Sequence, residues 1–428
     1  MKDFYINAHL NVQIFIIFAY TYVHYIKFIH LNMEELLEQS DLVIERVSTN
    51  FKRYLYQNIN WQARLIGIKG ARGTGKTTLL LQWLHERGLP GHKAAYFSLD
   101  DFYFTTNTLV ETAKKFHKQG GEILVLDEVH KYPNWSMEVK NLYDRYPDLQ
   151  IVFTGSSIID IAKQEGDLSR RALMYELHGL SYREFLQFTG VLDLPPVQLD
   201  EIIQDPSIHK NFPKNFKPLE HFRHYLDYGY YPFFMESTED YKQRIKQLVR
   251  TIVEYDMAEL KGFDIRNAKK MLQLLYIIAQ NVPFKPNLKK LAEKSNIHRN
   301  SIANYLHFLE QARLLWLLYP GGISIATLQK PEKIFLNNTN FLHALTMKKP
   351  SAGTTREVFF NNQLQVNHKL NIPQKGDFIV DDQYIFEIGG KSKTTNQIAD
   401  IPDSYVVKDD LEYPAGKALP LWLFGFLY

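Results

Sequence analysis

The stretch Gly70-Ala71-Arg72-Gly73-Thr74-Gly75-Lys76-Thr77 fits the pattern G-x-x-x-x-G-K-[ST] at every fixed position. It lies between an apolar run, residues 64–68, and a helix-like stretch from Thr78 to His85. Such a glycine-rich turn presents backbone N–H groups to phosphate oxygens, and the helix start adds a favourable dipole. Lys76 is expected to reach the β and γ phosphates, and Thr77 to hold Mg²⁺. The pattern therefore predicts that residues 70–78 bind a nucleoside triphosphate.

A second apolar run, residues 123–126, ends in the carboxylates Asp127 and Glu128. Four apolar residues bounded by charges are typical of a buried parallel strand, and ligands collect at the carboxyl ends of such strands. Asp127 is the expected metal partner. Glu128 is the expected catalytic group, which orients or deprotonates the attacking water. The loop and this strand end supply different halves of one site.

Two more strands are predicted, at residues 93–99 and 149–153. The latter ends in Thr154-Gly155-Ser156-Ser157. Thr154 or Ser156 is expected to bond the γ-phosphate or the attacking water, and Thr154 is the candidate for a catalytic role. The alternative is an ordinary turn followed by a helix cap at Ser156 or Ser157. The alternation of strands and helices predicts an α/β fold with a parallel sheet between two helical layers.

Composition is that of an ordinary globular chain with two to three domains. The 428 residues are 45% hydrophobic and 23% charged, and a net charge of +3 is too small to identify a partner. The chain has no cysteine, which excludes disulfides, zinc–thiolate sites and thiol catalysis. This composition fits a reducing compartment and favours a cytoplasmic location.

The first 33 residues are read as an apolar extension that is not native. Residues 12–29 are apolar and aromatic but contain Gln13, His24 and Lys27, and no small-residue cleavage site follows. They are marginal as a membrane helix and incomplete as a signal peptide. We expect translation to begin at Met33, where an amphipathic helix starts. With that start the chain would lack residues 12–29, and we expect no association with a membrane. A membrane anchor through residues 12–29 is the alternative.

The rest of the chain is divided by changes in pattern. We expect an ATPase domain at 34–178, a helical region at 179–280, a winged-helix region at 281–346 and a small α/β domain at 347–428.

The winged-helix region is the expected DNA-binding part, through residues 285–313. Leu288 to Ala292 lie on a first helix, Ser295-Asn296 form a turn, and a second helix runs from residue 299 to 311. Six basic residues in 284–313 against Glu293 and Glu310 leave a surplus of four positive charges. The candidates to reach bases or phosphates are Arg299, Asn300 and Asn304. An ATPase lid or a protein interface is the competing interpretation.

The last domain carries three acidic residues, Glu357, Asp377 and Glu387, in the order of the metal ligands of restriction-endonuclease-like folds. In such folds Glu-x-Lys would follow on the second strand, but here residue 389 is Gly389 and the lysine comes at Lys391. Residues 387, 389 and 391 share a face of a regular strand, so Lys391 would look into the site from about 6.6 Å further on. A nuclease-derived fold without cleavage is the alternative.

With these features in order, the chain resembles a widespread group of prokaryotic AAA-type ATPases of largely unassigned function. These proteins join an AAA core to a helical and winged-helix region and a restriction-endonuclease-like C-terminal domain. Besides the three motifs of the nucleotide site, the likeness rests on residues 168–171, 179–185, Tyr228-Gly229-Tyr230-Tyr231-Pro232 and Phe386-Glu387-Ile388-Gly389-Gly390-Lys391.

The resemblance implies ATP as the nucleotide, Mg²⁺ as the metal and ATP hydrolysis as the reaction. It also implies a catalytic arginine finger at Arg171, with Arg170 where glycine is often found, although either arginine could instead pair with Asp167 or Glu176. A homo-oligomer is a further expectation.

Three functions compete: a hydrolytic ATPase that moves its C-terminal half, an ATP-controlled nuclease, and a non-hydrolysing scaffold. Glu128 beside Asp127 argues against the scaffold, and the displaced lysine argues against the nuclease.

Overall fold

The computed structural model describes residues 32–156, 168, 170–259, 263–286, 288–295, 297–321 and 331–428. Several predicted features lie outside the described residues: the apolar stretch 12–29, Ser157, Asp167, Ser169 and Asn296. The described helices include none that is long and apolar enough to cross a membrane.

Among the described residues, five parallel strands form the N-terminal sheet, in the spatial order β2-β3-β4-β1-β5. Their bounds are β1 Leu65–Gly70, β2 Ala94–Ser98, β3 Ile123–Asp127, β4 Gln150–Ser156 and β5 Leu173–Glu176. Strand β5 is not among the four strands predicted from sequence, because it is a short edge strand whose residues are half-buried or exposed. The predicted α/β class with a parallel sheet is confirmed.

Alternating side chains of this sheet enter two separate apolar cores. Leu124 and Leu126 of β3 face one core, whereas Ile123 and Val125 face the other. This is the alternation that a strand imposes, and it produces the predicted three layers. The helices of this part are Met33–Arg46, Leu55–Asn58, Lys76–Arg87, Leu109–Lys118 and Trp135–Arg145, with 3-10 turns at Phe102–Thr105 and Val129–Lys131.

The middle of the chain is helical. Its helices are Tyr182–Phe188, Leu199–Gln204, Pro218–Tyr228, Tyr241–Glu254, Ala268–Ala279, Leu288–Ser295, Arg299–Gln311 and Thr339–Leu345, with 3-10 turns at Ile208–Asn211, Pro232–Met235, Asp256–Glu259 and Ile265–Asn267. Ser181 caps the first helix, in a reciprocal capping box with Glu184. Strands β6 Leu315–Leu318 and β7 Lys333–Leu336 pair antiparallel after the two helices of the predicted helix-turn-helix.

The C-terminal part is a second α/β unit. It contains helix Ala352–Leu364, strands β8 Leu370–Asn371, β9 Phe378–Val380, β10 Tyr384–Gly389, β11 Ser404–Lys408 and β12 Ala418–Pro420, and 3-10 turns at Thr395–Gln397 and Leu421–Phe426. The spatial order is β12-β11-β10-β9-β8, in which β10, β11 and β12 are parallel and β9 is antiparallel to both neighbours. One apolar core extends from Leu180 to Leu427, so the middle and the C-terminal sheet pack together. The domain boundaries drawn within this part remain predictions.

A buried ion pair joins the N-terminal α/β part to the rest of the chain. Arg53 is only 5% exposed and donates to both carboxylate oxygens of Glu184, at 2.9 and 3.1 Å. The same guanidinium donates to the backbone carbonyls of Thr74, His178 and Gly179. Arg53 therefore connects the phosphate loop, the residues after β5 and the helix Tyr182–Phe188.

We predict that Glu184→Gln lowers the free energy of unfolding by about 3–5 kcal/mol, because it leaves the Arg53 charge buried without a counter-ion. Urea denaturation measures the effect. The control is Glu86→Gln, which breaks the ion pair of Glu86 with Lys52, whose side chains are 40% and 33% exposed. That variant should lose about 0–1 kcal/mol. Equal losses in the two variants would show that the Arg53–Glu184 pair does not hold the parts together.

Candidate nucleotide-binding site

The predicted phosphate loop follows β1 directly. Gly73 and Gly75 have φ angles of 81° and 92°, a left-handed conformation that glycine adopts without strain. Lys76 is buried, and its ammonium donates to the carbonyls of Gly70 and Ala71 at 3.0 and 3.2 Å. Burial lowers the pKa of Lys76, while the carboxylates of Glu128 and Asp127 oppose that shift. The loop therefore holds its lysine beside the two predicted carboxylates.

Asp127 is the centre of the polar cluster at the end of β3. The Thr77 hydroxyl donates to its Oδ2 at 2.6 Å, as the sequence predicts for two groups that share a metal. The Thr154 hydroxyl donates to Oδ1, and so does the Glu128 backbone N–H, at 3.0 Å. The Tyr96 hydroxyl donates to Oδ2 at 2.8 Å. Thr154 thus contacts Asp127, and its predicted role toward the phosphate remains a prediction.

Tyr96 is a site residue that sequence reasoning missed. It lies on β2, which pairs with β3 in a register that places Tyr96 opposite Val125. The prediction of β2 as a strand was correct, but nothing in its sequence shows that it lies beside β3. The only available signal was a tyrosine near the carboxyl end of a predicted strand.

The residues fit a magnesium ion that arrives with a nucleotide. Among the described residues, no group of three or more His, Cys, Asp or Glu side chains is arranged to hold a metal by itself. Mg²⁺ usually takes one or two carboxylates and completes its shell with phosphate oxygens and water. Asp127 and the Thr77 hydroxyl supply oxygen donors of this kind.

Glu128 occupies a strained position next to Asp127, the predicted magnesium ligand. Its φ is 51°, which is uncommon for a residue other than glycine. Burial raises the pKa of its carboxyl group, and the positive charge of Lys76 opposes that shift. Glu128 Oε2 lies 3.3 Å from Nε2 of His130. Burial lowers the pKa of His130 to about 3, so the imidazole is neutral near pH 7.

Arg171 lies far from the phosphate loop of its own chain. Arg171 lies before the start of β5, and β5 runs parallel to β1. The last residue of β5, Glu176, lies opposite Lys69, close to where the phosphate loop begins. Five residues of extended chain span about 16 Å. Arg171 instead donates to both carboxylate oxygens of Asp144, at 2.9 and 3.0 Å.

Glu176 is not the partner of either predicted finger arginine. Its carboxylate accepts from Arg313, which approaches with Nε and Nη2 at 2.8 Å each. Arg170 is exposed. The structure thus does not bring Arg170 or Arg171 to the nucleotide site of the same chain, and a role for Arg171 across subunits remains a prediction.

A cavity of about 540 Å³ adjoins the phosphate loop. Phe51, from the segment before β1, lines one part of it, and Thr78 and Leu79 line another part at the start of the helix after the loop. Phe188 and Pro232 of the middle part complete the lining. The Phe51 and Phe188 rings lie 4.8 Å apart. Volume and lining suit a planar aromatic ligand such as a nucleobase. Sequence reasoning missed all of these residues except Thr78, because they come from distant segments.

The motif Tyr230-Tyr231-Pro232 is positioned against the phosphate loop. The rings of Tyr231 and Phe233 lie close enough to Gly73 that an added Cβ would be 3.6 and 3.1 Å from them. The Tyr230 backbone N–H donates to Asn340 at 2.9 Å. A motif that the sequence marks only as a family feature thus packs on the nucleotide site.

The predicted second acidic site has a different composition from the one expected. Lys333 lies 3.3 Å from Glu357 and 3.5 Å from Asp377, and Lys393 forms an ion pair with Glu387. Lys391, by contrast, is exposed and lies beyond β10, which ends at Gly389, so the regular strand on which its predicted approach to this site depends does not extend to it.

Lysines therefore neutralise these carboxylates. The stem of Lys393 covers Gly389 so closely that a side chain there would collide with it. Burial raises the pKa of Glu357, and Lys333 opposes that shift. The described residues include no three-carboxylate metal cluster at this place.

In the predicted DNA-binding region, Lys285, Lys289, Lys294 and Asn304 are exposed. The side chains of Arg299 and Asn300 lie outside the described part of the structure. Arg313 is occupied by Glu176 and so does not contribute a free charge.

Comparisons with known proteins match two parts of the chain to protein families. Residues 62–186 match a family described as an AAA domain, and residues 219–352 match a domain of unknown function. An uncharacterised protein of Methanocaldococcus jannaschii is 28% identical, over 76% of this chain and 75% of its own length.

Among solved structures, AMPPCP-bound DnaA from Aquifex aeolicus aligns with a TM-score of 0.26 and 17% identity, over 65% of this chain and 88% of that chain. PCH-2 of C. elegans aligns with a TM-score of 0.25 and 15% identity, over 55% and 64%. These scores are too low to carry an argument about function or partners. The family match nevertheless shows an AAA-type domain at residues 62–186.

Proposed function

We propose that this protein binds and hydrolyses ATP, and that its nucleotide cycle controls the part of the chain after residue 179. The observation that carries the proposal is the cluster at the end of β3, where Asp127 accepts from Thr77 and Glu128 lies beside the buried Lys76. The match to an AAA domain supports the same reaction.

Each residue has a defined task in this reaction. The loop amides and Lys76 would bind the phosphates, and Asp127 and Thr77 would hold a Mg²⁺ ion, whose positive charge would offset that of the phosphate oxygens. Glu128 accepts a proton from the attacking water molecule, while the water oxygen forms a bond to the γ-phosphorus. The bond to the bridging oxygen breaks, and ADP and phosphate leave.

The cavity beside the loop supports a nucleoside as well as a phosphate ligand. Phe51 and Phe188 supply aromatic surface next to Thr78. Because Phe188 and Pro232 belong to the middle part, a base in this cavity would contact both sides of the boundary. Contacts of this kind support coupling between the nucleotide and the rest of the chain.

The hydrolytic assignment predicts different defects in two variants. Lys76→Ala should weaken ATP binding, because the phosphates lose a positive charge. Glu128→Gln keeps the shape of the side chain but removes the base, so it should bind ATP and hydrolyse it about 10²–10⁴-fold more slowly. Equilibrium binding and phosphate release measure the two effects. Wild-type turnover by Glu128→Gln would exclude this residue as the base.

A second proposal is that DNA binds through residues 285–313, by electrostatic attraction to the exposed lysines. Lys285→Ala, Lys289→Ala and Lys294→Ala together should lower affinity and reduce the slope of log K against log salt by about 0.9 for each lost contact. A salt series with duplex and single-stranded DNA measures both.

The matched control removes three exposed lysines from the ATPase part, Lys114, Lys115 and Lys118, with the same change in net charge. An equal loss in both triple variants would indicate non-specific attraction. Absence of DNA binding by the wild type would favour a protein partner for this region.

For the C-terminal part we propose a degenerate nuclease fold with at most weak binding of Mg²⁺ or Mn²⁺ by Asp377 and Glu387. Lys393→Ala should bind Mn²⁺ more tightly than the wild type, because Glu387 loses its competing cation. Lys391→Ala, two residues away and exposed, is the control and should match the wild type. Mn²⁺ titration followed by electron paramagnetic resonance measures the affinities.

The nuclease alternative predicts that Lys393 is required for DNA cleavage and does not merely compete with the metal ion. Linear, nicked and single-stranded DNA should then be cut by the wild type with either metal, and Asp377→Ala and Lys393→Ala should both abolish cleavage. That outcome would replace the degenerate fold with an ATP-controlled nuclease.

A further inference from the structure

Asp256 brings a negative charge from the middle of the chain to the phosphate loop. It begins the 3-10 turn after helix Tyr241–Glu254, outside the AAA match and within residues 219–352. Its Oδ1 accepts from Nη1 of Arg72 at 3.0 Å, and Nζ of Lys131 lies 3.7 Å from the same oxygen. Asp256 therefore contacts cationic side chains on both sides of the nucleotide site.

The setting of this carboxylate is energetically unfavourable. Asp256 is 1% exposed, and in the described structure its Oδ2 is buried without a hydrogen-bond partner. Burying an ionised carboxylate with one oxygen unsatisfied costs free energy, and apolar residues of similar size often stabilise a protein better than a buried pair. Stability alone does not explain an aspartate at this position.

Arg72 lies in the part of the phosphate loop that faces the catalytic groups. It is 43% exposed, so its guanidinium is held by Asp256 at the rim of the site. The Asp256 oxygen that accepts from Arg72 also lies 3.7 Å from Nζ of Lys131, in the 3-10 turn that directly follows Glu128. Arg72 is thus held on the side of the loop where the segment that carries Glu128 lies. Arg171, by contrast, lies near the amino-terminal ends of the strands, away from the loop.

We propose that Arg72 is a catalytic residue that contacts the γ-phosphate and stabilises its charge during hydrolysis, and that Asp256 is the positioning residue that orients Arg72. The inference rests on the proposed ATPase function. Because Asp256 belongs to residues 219–352, Arg72 is oriented only while that region is docked on the loop. Position of the middle part then sets the rate of hydrolysis.

The docking contacts are present around the same loop. Tyr231 and Phe233 pack on Gly73, next to Arg72 in sequence. Helix Tyr241–Glu254, which leads into Asp256, shares the apolar core with Tyr231. A shift of this core would move the aromatic contact and Asp256 together.

Steady-state kinetics of three variants test the proposal: Arg72→Ala, Asp256→Asn and the double variant. Arg72→Ala should lower kcat about 10³-fold, in the range for an arginine that stabilises the transferred phosphoryl group. Asp256→Asn, which keeps the shape, should lower kcat about 10-fold. The double variant should be no slower than Arg72→Ala, since Asp256 acts through Arg72. Asp264→Asn, which breaks the exposed pair with Arg266, is the control and should retain wild-type kcat.

A binding experiment makes the test independent of turnover. In the Glu128→Gln background, Arg72→Ala and Asp256→Asn should weaken ATP binding more than ADP binding, because only ATP carries the γ-phosphate. Equal losses for the two nucleotides, wild-type kcat in either single variant, or multiplicative losses in the double variant would overturn the proposal. If the wild type binds ATP but does not hydrolyse it, the proposed function fails, and the ATP-to-ADP affinity ratio still decides whether Arg72 contacts the γ-phosphate.

Discussion

The ion pair between Arg53 and Glu184 is the constraint on which the rest of the structure depends. Its guanidinium satisfies backbone carbonyls of the phosphate loop and of the residues after β5, while the carboxylate also accepts from the backbone N–H groups of Tyr54 and Ser181. Ser181 in turn donates to the carbonyl of Tyr428 at 2.8 Å. Four segments that are far apart in sequence therefore share one desolvated charge pair. Movement of one segment away from the others would separate the two buried charges, which is strongly unfavourable. The pair therefore keeps these segments together.

Under this constraint the nucleotide site is surrounded by two groups of residues, which form two kinds of wall. One kind is local to the AAA-type domain: the loop after β1 and the carboxylates after β3, which meet because parallel strands end at the same edge. The other kind comes from the middle of the chain, where Tyr231, Phe233 and Asp256 contact the loop. A bound triphosphate would bring new negative charge beside Asp256. The electrostatic balance at the loop, and hence the docking of the middle part, would then depend on which nucleotide is present.

The sequence predicts the first kind of wall and not the second. The loop, Asp127 and Glu128 are found because each is encoded within a few residues of a strand end, and the register of the sheet is enough to join them. Tyr96, Arg53 and Asp256 carry no comparable local signal, since their roles depend on contacts more than thirty residues away in sequence. Arg171 is a different case. A family pattern predicts that it is a finger, and the parallel pairing of β1 and β5 places it away from the nucleotide site of its own chain, so only a role across subunits remains as a prediction.

The C-terminal carboxylates illustrate why a correct pattern of residues does not fix their chemistry. Order and spacing identify Glu357, Asp377 and Glu387. In the structure Glu357 lies on a helix, Asp377 directly precedes β9 and Glu387 lies on β10. What the pattern omits is the cations: Lys333 comes from β7, and Lys393 comes from the chain after β10. An ammonium group within ion-pair distance of a carboxylate lowers the negative potential that would attract a divalent ion. The same three acidic residues therefore form a metal site or an ion-pair cluster according to where two lysines lie, and here the lysines lie against the carboxylates.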